Sequence, residues 1–290
     1  MLKSNNLYLG DCLDLLAKIK DQTIDLVFLD PPYNLQLNKV LTRPNHSIVN
    51  GVNQDWDKFD SYSSYDDFTY SYLTECKRIL KPDGGLWIIG SYHNIFRIGK
   101  ILQDLNFWIL NDVIWAKSNP LPNFRATRLT NAHETLIWCS KKPKSKYQFN
   151  YHTLKVANED RQERSIWNFP ICSGKERLKN NKKQTAHPTQ KPLALMKKII
   201  IQSSIQGDLV LEPFAGTASF CAEAKYLGRN YIGFEKDETY FNLAIKRLKK
   251  IKSLKNDLLE INEKDKPTQK IPFASLIAVS YTHLRAHETI

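Results

Sequence analysis

One short motif constrains the fold of this chain more than any other feature. Asp30-Pro31-Pro32-Tyr33 follows directly after the apolar run 24–29. An apolar run of this length that ends in a turn indicates a buried strand. The two prolines fix two φ angles and remove two backbone donors, so the strand has to stop there. The pattern predicts a strand of an open α/β sheet, and such sheets bind their ligands at the carboxyl ends of the strands.

The motif's own groups suit a flat ligand that carries an amine. The Asp30 carboxylate and the Pro31 carbonyl can accept hydrogen bonds, and the Tyr33 ring can stack on a planar group. A buried strand followed by a simple proline turn would give the same pattern. The motif alone does not decide between these two interpretations.

Strand-like and helix-like segments alternate on both sides of the motif, and the alternation is interrupted between Trp115 and Pro192. This predicts a doubly wound, mostly parallel α/β sheet of seven strands with an inserted region at 118–184. Residues 81–85 are expected to form a turn. The strands are predicted at 7–9, 24–29, 86–90, 108–115, 133–138, 208–211 and 230–234, and the helices at 12–20, 65–80, 94–105, 193–203, 218–227 and 238–251.

The positive charge of the chain is concentrated in one segment. Residues 141–198 contain 15 Lys or Arg and 4 Asp or Glu, a net +11 of the chain's +12. Basic residues interleaved with aromatic ones, such as Trp167 and Phe169, are typical of a nucleic-acid surface. A solvated loop region is the alternative. The polar segment 34–62 is long for a loop in a compact domain, which favours a functional or mobile role.

Composition excludes several classes of protein. No apolar stretch approaches the roughly 20 residues of a membrane span, and residues 1–5 lack the apolar region of a signal peptide. The five cysteines are scattered and form no C-x-x-C pair, which indicates reduced thiols in a cytoplasmic protein without disulfides or bound zinc. We expect no metal site.

A second motif predicts a nucleoside site. Residues 210–219 follow the order strand, glycine turn and helix start, and Gly216 allows a ligand to approach the backbone closely. Glu235 ends the next predicted strand, where an acidic residue can accept hydrogen bonds from ribose hydroxyls. A single glycine supports a dinucleotide weakly, so a smaller nucleoside ligand fits better. A purely structural glycine turn is the alternative.

Together these motifs resemble those of the DNA amino-methyltransferases that use S-adenosylmethionine, in the class whose catalytic motif precedes the cofactor motif. Residues 30–33 resemble the family's D-P-P-Y, residues 187–192 its H-P-T-Q-K-P, and residues 10–12 its G-D-C. Residues 212–219 resemble its D-P-F-x-G-S-G-T, except that Glu212, Thr217, Ala218 and Ser219 replace Asp, Ser, the second Gly and Thr. The resemblance covers roughly residues 5–250.

Two further segments narrow the resemblance. Residues 119–125 and 131–138 are similar to those of the HinfI-type and cell-cycle-regulated (CcrM-type) adenine methyltransferases. This similarity implies methyl transfer to adenine N6 in the duplex site GANTC. It also implies that the target base leaves the helix, because a paired and stacked N6 cannot be reached.

The resemblance assigns roles to individual residues. Asp30 and the Pro31 carbonyl would accept the two N6 hydrogens, Tyr33 would stack on the base, Pro32 would keep the turn rigid, and residues 34–62 would close over the base. S-adenosylmethionine would contact residues of the other motifs: Asp11, Cys12, Lys191, Glu212, Phe214, Gly216, Thr217 and Glu235. Within this set, Glu235 would bind the ribose, Asp11 would lie near the adenine, and Lys191 would neutralise a carboxylate.

The same resemblance predicts double-stranded DNA as the macromolecular substrate. The residues expected to contact it are Asn119, Asn123, Arg125, Arg128 and Asn131, with the arginines on guanine edges or phosphates and with Asn123 and Asn131 on adenine. A homodimer and a cognate restriction endonuclease are the further partners that it suggests. The sequence does not distinguish a restriction system from a solitary enzyme.

The predicted domain boundaries follow from these matches. Residues 1–253 would form the catalytic domain, and 254–277 a linker and the start of a truncated C-terminal DNA-binding domain. Residues 278–290 resemble translated sequencing-adaptor sequence and are expected to be foreign. Three alternatives stay open: an N4-cytosine methyltransferase, an RNA or protein-amide methyltransferase, and a DNA-binding protein that has lost catalysis.

Overall fold

The computed structural model describes residues 2–35, 41–42, 48–49, 57–123, 126–179, 185 and 187–254. Of the predicted C-terminal segments 254–277 and 278–290, all but residue 254 lie outside these residues. The ten strands are β1 (Asn6–Leu9), β2 (Ile24–Leu29), β3 (Leu41–Thr42), β4 (Ile48–Val49), β5 (Leu80–Gly90), β6 (Trp108–Lys117), β7 (His133–Ser140), β8 (Ile166–Phe169), β9 (Leu209–Glu212) and β10 (Asn230–Glu235). The seven helices are α1 (Cys12–Leu16), α2 (Tyr62–Ile79), α3 (Ile95–Asp104), α4 (Tyr151–Ala157), α5 (Leu193–Ser203), α6 (Ser219–Tyr226) and α7 (Glu238–Lys250).

Eight of the strands that the structure describes form one sheet in the order β1-β10-β9-β2-β5-β7-β6-β8, and β3 pairs with β4 in a separate hairpin. The pairs that involve β7 are antiparallel and the other pairs of the large sheet are parallel. The predicted doubly wound, mostly parallel sheet is thereby confirmed. The order places the carboxyl ends of β1, β10, β9 and β2 next to one another, which is where a doubly wound sheet binds its ligand.

The sheet has one strand more than predicted. β8 escaped prediction because it is only four residues long, although Trp167 and Phe169 alternate with exposed neighbours and are buried. The expectation that these two aromatic residues belong to a nucleic-acid surface was wrong, because both pack in the core. Residues 118–184 are also not wholly an insertion, because they contain β7 and β8, and both strands belong to the large sheet.

The predicted turn at 81–85 is a bulge inside β5. α2 ends at Ile79 and the chain enters β5 at the next residue. The pairing with β2 then passes from Ile24 opposite Leu80 to Leu26 opposite Gly85, so residues 81–84 leave the ladder. Proline and glycine are frequent at such irregularities because each weakens regular strand pairing.

Different helices cover the two faces of the sheet. Side chains alternate along β2, so Leu26 and Phe28 contribute to one apolar cluster and Val27 and Leu29 to the other. The first cluster contains residues of α5, α6 and α7, and the second contains residues of α1, α2 and α3. This packing holds β2 rigidly on both faces, and with it the motif that begins at Asp30. Among the described helices, none is both long and apolar enough to cross a membrane.

Candidate active site

A cavity of about 660 Å³ opens at the carboxyl ends of β1, β10, β9 and β2. Its volume lies in the range of pockets that hold small molecules. All twelve residues predicted to serve in catalysis or cofactor binding line it: Asp11, Cys12, Asp30, Pro31, Pro32, Tyr33, Lys191, Glu212, Phe214, Gly216, Thr217 and Glu235. The two motifs that the sequence places about 180 residues apart therefore face one space.

The turn after β2 is fixed by groups from outside the motif. The Asp57 carboxylate accepts hydrogen bonds from the backbone N–H groups of Tyr33, Asn34 and Leu35, at 2.6, 2.9 and 3.0 Å. The Tyr65 hydroxyl donates to the Pro32 carbonyl at 2.9 Å. Sequence reasoning missed Asp57 because it lies in the polar segment 34–62, where nothing distinguishes it from its neighbours.

Asp30 forms a buried ion pair inside the cavity. Its Oδ2 lies 2.8 Å from Lys191 Nζ, and its Oδ1 accepts a hydrogen bond from the Tyr33 hydroxyl at 3.2 Å. Lys191 Nζ also lies 5.2 Å from the centre of the Tyr33 ring. The expectation that Lys191 neutralises a carboxylate agrees with this geometry, and the carboxylate is that of Asp30.

A second buried carboxylate, Glu134, was not predicted to belong to the site. Its Oε1 lies 2.7 Å from Lys117 Nζ, and its Oε2 accepts from the Tyr33 hydroxyl at 2.9 Å and lies 3.7 Å from Lys191 Nζ. Glu134 belongs to the segment 131–138, whose resemblance was used only for target identity. Its position as an acid at the start of an otherwise apolar strand was the available signal, because a buried carboxylate needs a partner.

The surroundings shift the pKa values of the Asp30 and Glu134 carboxylates in opposite directions. Burial raises the pKa of Asp30, and Lys191 offsets only part of that rise. Burial also works against the charge of Glu134, but the attraction of Lys191 and Lys117 outweighs it and lowers the pKa of Glu134. Burial opposes the charge of Lys191 as well, yet Asp30 and Glu134 together raise its pKa. The surroundings thus favour the protonated form of Asp30 and the charged form of Glu134.

The glycine turn and Glu235 are joined directly. Glu235 Oε2 accepts the Gly216 N–H at 2.6 Å, and its Oε1 accepts the Asp237 N–H at 2.8 Å. Gly216 has a φ of 52°, and a Cβ at this position would lie 3.2 Å from His187 Nε2. The His187 ring in turn packs on Tyr240 with 4.5 Å between ring centres. The turn therefore needs glycine for its conformation and for the close approach of His187.

Glu212 and Asp11, like Lys191 and Glu235, have partners inside the protein. The Glu212 carboxylate accepts the backbone N–H groups of Phe220 and Cys221, which begin α6. Asp11 caps α1 by accepting the Leu13 N–H at 3.0 Å, and Lys236 Nζ lies 3.1 Å from its other oxygen. Glu212 thus holds the helix beside the cavity, whereas Asp11 is partly exposed at its edge.

The predicted DNA contacts lie outside the cavity lining. Asn119, Arg128 and Asn131 are exposed, Asn119 Oδ1 accepts the Ile171 N–H, and the Arg128 guanidinium lies 5.7 Å from the centre of the Tyr92 ring. Asn123 is half-buried, and Arg125 lies outside the described residues. The basic excess is partly internal, because Lys191, Lys197 and Lys198 are buried.

Side chains that commonly bind metals do not form a metal site in the part of the chain that the structure describes. The five cysteines are free and buried. Within the described ranges, no three His, Cys, Asp or Glu side chains are grouped as metal ligands.

A glycine turn, an acidic residue on the neighbouring strand and an acidic turn after β2 are the parts expected of a transferase that uses a nucleoside cofactor. The DNA methylase family N6_N4_Mtase matches residues 24–246, so the chain belongs to this family of DNA methyltransferases. Type II methyltransferase M.HinfI of Haemophilus influenzae is 49% identical over 286 residues, 99% of this chain and 79% of that protein. Type II methyltransferase M2.MboI of Moraxella bovis is 40% identical over 88% of this chain and 92% of that protein.

Solved structures agree with this assignment. The M1.HpyAVI–SAM complex superposes with a TM-score of 0.60 at 27% identity and covers 84% of this chain and 98% of its own. The cytosine-N4-specific PvuII DNA methyltransferase has a TM-score of 0.65 over 98% of this chain and 94% of its own, at 18% identity, which shows the shared fold. The chain is an S-adenosylmethionine-dependent enzyme that acts on DNA. The cavity that Gly216 and Glu235 line, with a volume of about 660 Å³, is large enough for a nucleoside of that kind.

Proposed function

We propose that this enzyme methylates the N6 amine of adenine in duplex DNA at GANTC. The observation that carries the proposal is the single cavity lined both by Asp30 and Tyr33 and by Gly216 and Glu235. An acceptor for an amine and a site for a methyl donor then face the same space. The 49% identity to M.HinfI and the similarity of residues 119–125 and 131–138 to GANTC-specific enzymes support the choice of base and site.

The residues after β2 would act on the target base by geometry and charge. Bound S-adenosylmethionine supplies an electrophilic methyl group on its sulfonium. Asp30 and the Pro31 carbonyl would accept the two N6 hydrogens, which directs the nitrogen lone pair out of the ring plane. The Pro32 carbonyl already accepts a hydrogen bond from the Tyr65 hydroxyl. The Pro31 carbonyl is therefore the one that would accept an N6 hydrogen. Asp30, whose pKa is raised by burial, would finally take the proton that the cationic amine loses.

On the cofactor side, Glu235 would accept hydrogen bonds from the ribose, and Phe214 and Gly216 would form the contact surface. Asp11 would lie near the cofactor's adenine. Cys12, Glu212 and Thr217 would shape the wall of the cavity. Lys191 would act on Asp30 rather than on the cofactor itself, because its ammonium is already paired with that carboxylate.

DNA would be held by the parts of residues 118–184 that do not belong to the sheet, within a catalytic domain that spans residues 1–253. Asn119, Asn123, Arg125, Arg128 and Asn131 are the proposed contacts. We further propose that the enzyme works in the reducing environment of the cytoplasm, as a homodimer and with a cognate restriction endonuclease. Five free, buried thiols are compatible with such an environment.

The test is incubation of the enzyme with labelled S-adenosylmethionine and four substrates: a GANTC duplex, a duplex with the site scrambled, the GANTC strand alone, and RNA. Digestion to nucleosides and mass spectrometry identify the product. We expect N6-methyladenine from the GANTC duplex. N4-methylcytosine would contradict the choice of base, methylation of the scrambled duplex would contradict the site, and the absence of transfer to all four would contradict the activity.

A further inference from the structure

Five side chains form a charge cluster at the end of β2: Asp30, Tyr33, Lys117, Glu134 and Lys191. Lys191 is buried and the other four are partly buried. Two ammonium groups and two carboxylates balance one another in it. Lys117 and Lys191 come from β6 and from the segment before α5, while Asp30 and Glu134 come from the end of β2 and the start of β7. The cluster thus joins four separate parts of the chain, with the Tyr33 hydroxyl bridging the two carboxylates.

The cluster as it stands leaves Asp30 poorly available to a substrate amine. One oxygen of Asp30 holds Lys191, and the other lies 3.2 Å from the Tyr33 hydroxyl, whose single hydrogen it shares with Glu134. Methyl transfer to a neutral amine also places positive charge on the nitrogen next to Asp30. An ammonium 2.8 Å from that carboxylate would repel the developing charge, and in a buried site such a repulsion is screened weakly.

We propose that Glu134 is a positioning residue that takes over Lys191 when the substrate amine occupies the Asp30 carboxylate. The inference rests on the function proposed above. Lys191 Nζ is already 3.7 Å from Glu134 Oε2, and a shift of about 1 Å would bring the two to the distance of a charge-assisted hydrogen bond. The shift moves no proton, because Lys191 keeps its charge in both positions.

Glu134 is well placed for this role. Lys117 and the Tyr33 hydroxyl hold its carboxylate at 2.7 and 2.9 Å. It therefore stays ionised and in place while Lys191 changes partner. The longer distance to Lys191 leaves more of the Asp30 charge to act on the amine as it becomes cationic, and that charge stabilises the transition state.

The kinetic test compares Glu134→Gln with Lys191→Met and with the double variant. Glutamine keeps the size and one acceptor of glutamate but not its charge. We expect Glu134→Gln to lower kcat by about tenfold to a hundredfold, with the KM for DNA and the Kd for S-adenosylhomocysteine changed by less than about twofold. Because Glu134 would act through Lys191, the double variant should be no slower than Lys191→Met alone. An unchanged kcat in Glu134→Gln, or effects that multiply in the double variant, would overturn the proposal.

Glu75→Gln is the matched control, because Glu75 also pairs with a basic side chain but lies on α2 away from the cavity. It should retain the wild-type kcat. Thermal melting of all variants separates slow catalysis from loss of folded enzyme.

A second measurement does not depend on activity. In a crystal structure of Asp30→Asn the charge that holds Lys191 is gone, so Nζ should move to Glu134 and lie within about 3 Å of Oε2. If Nζ stays on the amide oxygen at position 30, Glu134 is not an alternative partner and the proposal fails. If instead wild-type enzyme transfers no methyl group to any DNA, the proposed function fails, while the position of Lys191 in this crystal still decides the inference.

Discussion

The two ends of the cavity are built in opposite ways. At the cofactor end, a backbone turn and one acidic side chain on the adjacent strand meet directly, through the 2.6 Å contact of Glu235 with the Gly216 N–H. At the catalytic end, charged side chains from three other parts of the chain converge on the turn that contains Asp30 and Tyr33. The first end is a property of two neighbouring strands, whereas the second exists only when the whole sheet has assembled.

This difference predicts different responses to substitution. At the catalytic end each charge is balanced by a partner, so the loss of one leaves another buried and unpaired, at a substantial energetic cost. At the cofactor end the backbone supplies much of the site, and single side chains should have smaller and more local effects. Three experiments test this contrast.

Asp30→Ala should have the largest effect. It removes the proposed acceptor of the N6 hydrogens, and we expect the single-turnover rate of methyl transfer to fall by roughly 10³-fold. Binding of S-adenosylhomocysteine by calorimetry and binding of a GANTC duplex by fluorescence anisotropy should be retained. If cofactor binding is lost in parallel with the rate, the two ends are not independent. If the rate is unchanged, Asp30 has no catalytic role.

The pH dependence of cofactor binding, compared between wild type and Glu235→Gln, tests the cofactor end. Burial raises the pKa of Glu235 to about 7, although the N–H groups of Asp237 and Gly216 favour its charged form. Ribose hydroxyls should donate more strongly to the carboxylate than to the protonated acid. The affinity of the wild-type enzyme for S-adenosylhomocysteine should therefore rise as pH increases from 6 to 8, by up to about tenfold.

Glu235→Gln should bind more weakly at pH 8 and lose most of this pH dependence. Burial lowers the pKa of His187 to about 4, so His187 stays neutral throughout this range and does not produce the slope. Burial also raises the pKa of Glu212 to about 7. A pH dependence that survives in Glu235→Gln would therefore assign the effect to Glu212 and contradict the role of Glu235.

The same contrast explains how much could be predicted from the sequence. Hydrophobic periodicity predicts the parallel sheet and the positions of its long helices. The cofactor end can be predicted as well, because the parts of its motif are contiguous or lie on adjacent strands. α4 and β8 were missed because both are short and lie in a segment whose composition indicated a basic loop. Buried Trp167 and Phe169 were read as surface residues for the same reason.

The catalytic end could be predicted only in part. The prolines next to Asp30 are enough to predict the turn. The residues that contact the turn cannot be predicted from the sequence around it. Asp57, Lys117 and Glu134 reach it through long-range packing, and a carboxylate or an ammonium looks the same in sequence whether it is buried or exposed. Only the pairing of β6 with β7 places Lys117 opposite Ala132 and next to Glu134.

Ala218→Gly should have the smallest effect and tests whether the backbone of the cofactor end is adapted to this chain. Ala218 stands where the family motif has its second glycine, and it adopts the left-handed conformation with φ 55° and ψ 48°. That conformation costs a non-glycine residue about 1–2 kcal/mol. Glycine would remove this cost, but it would lose about 0.5–1 kcal/mol through the entropy of the unfolded chain and about 0.8 kcal/mol through the buried methyl group.

These terms nearly cancel, so the free energy of unfolding of Ala218→Gly should stay within about 1 kcal/mol of wild type, as measured by urea denaturation. The affinity for S-adenosylhomocysteine should not change. Gly216→Ala is the informative counterpart, because there the left-handed conformation is combined with a Cβ 3.2 Å from His187 Nε2. It should weaken cofactor binding clearly. Equal effects of the two substitutions would mean that backbone conformation, and not the contact with His187, sets the demand for glycine in this turn.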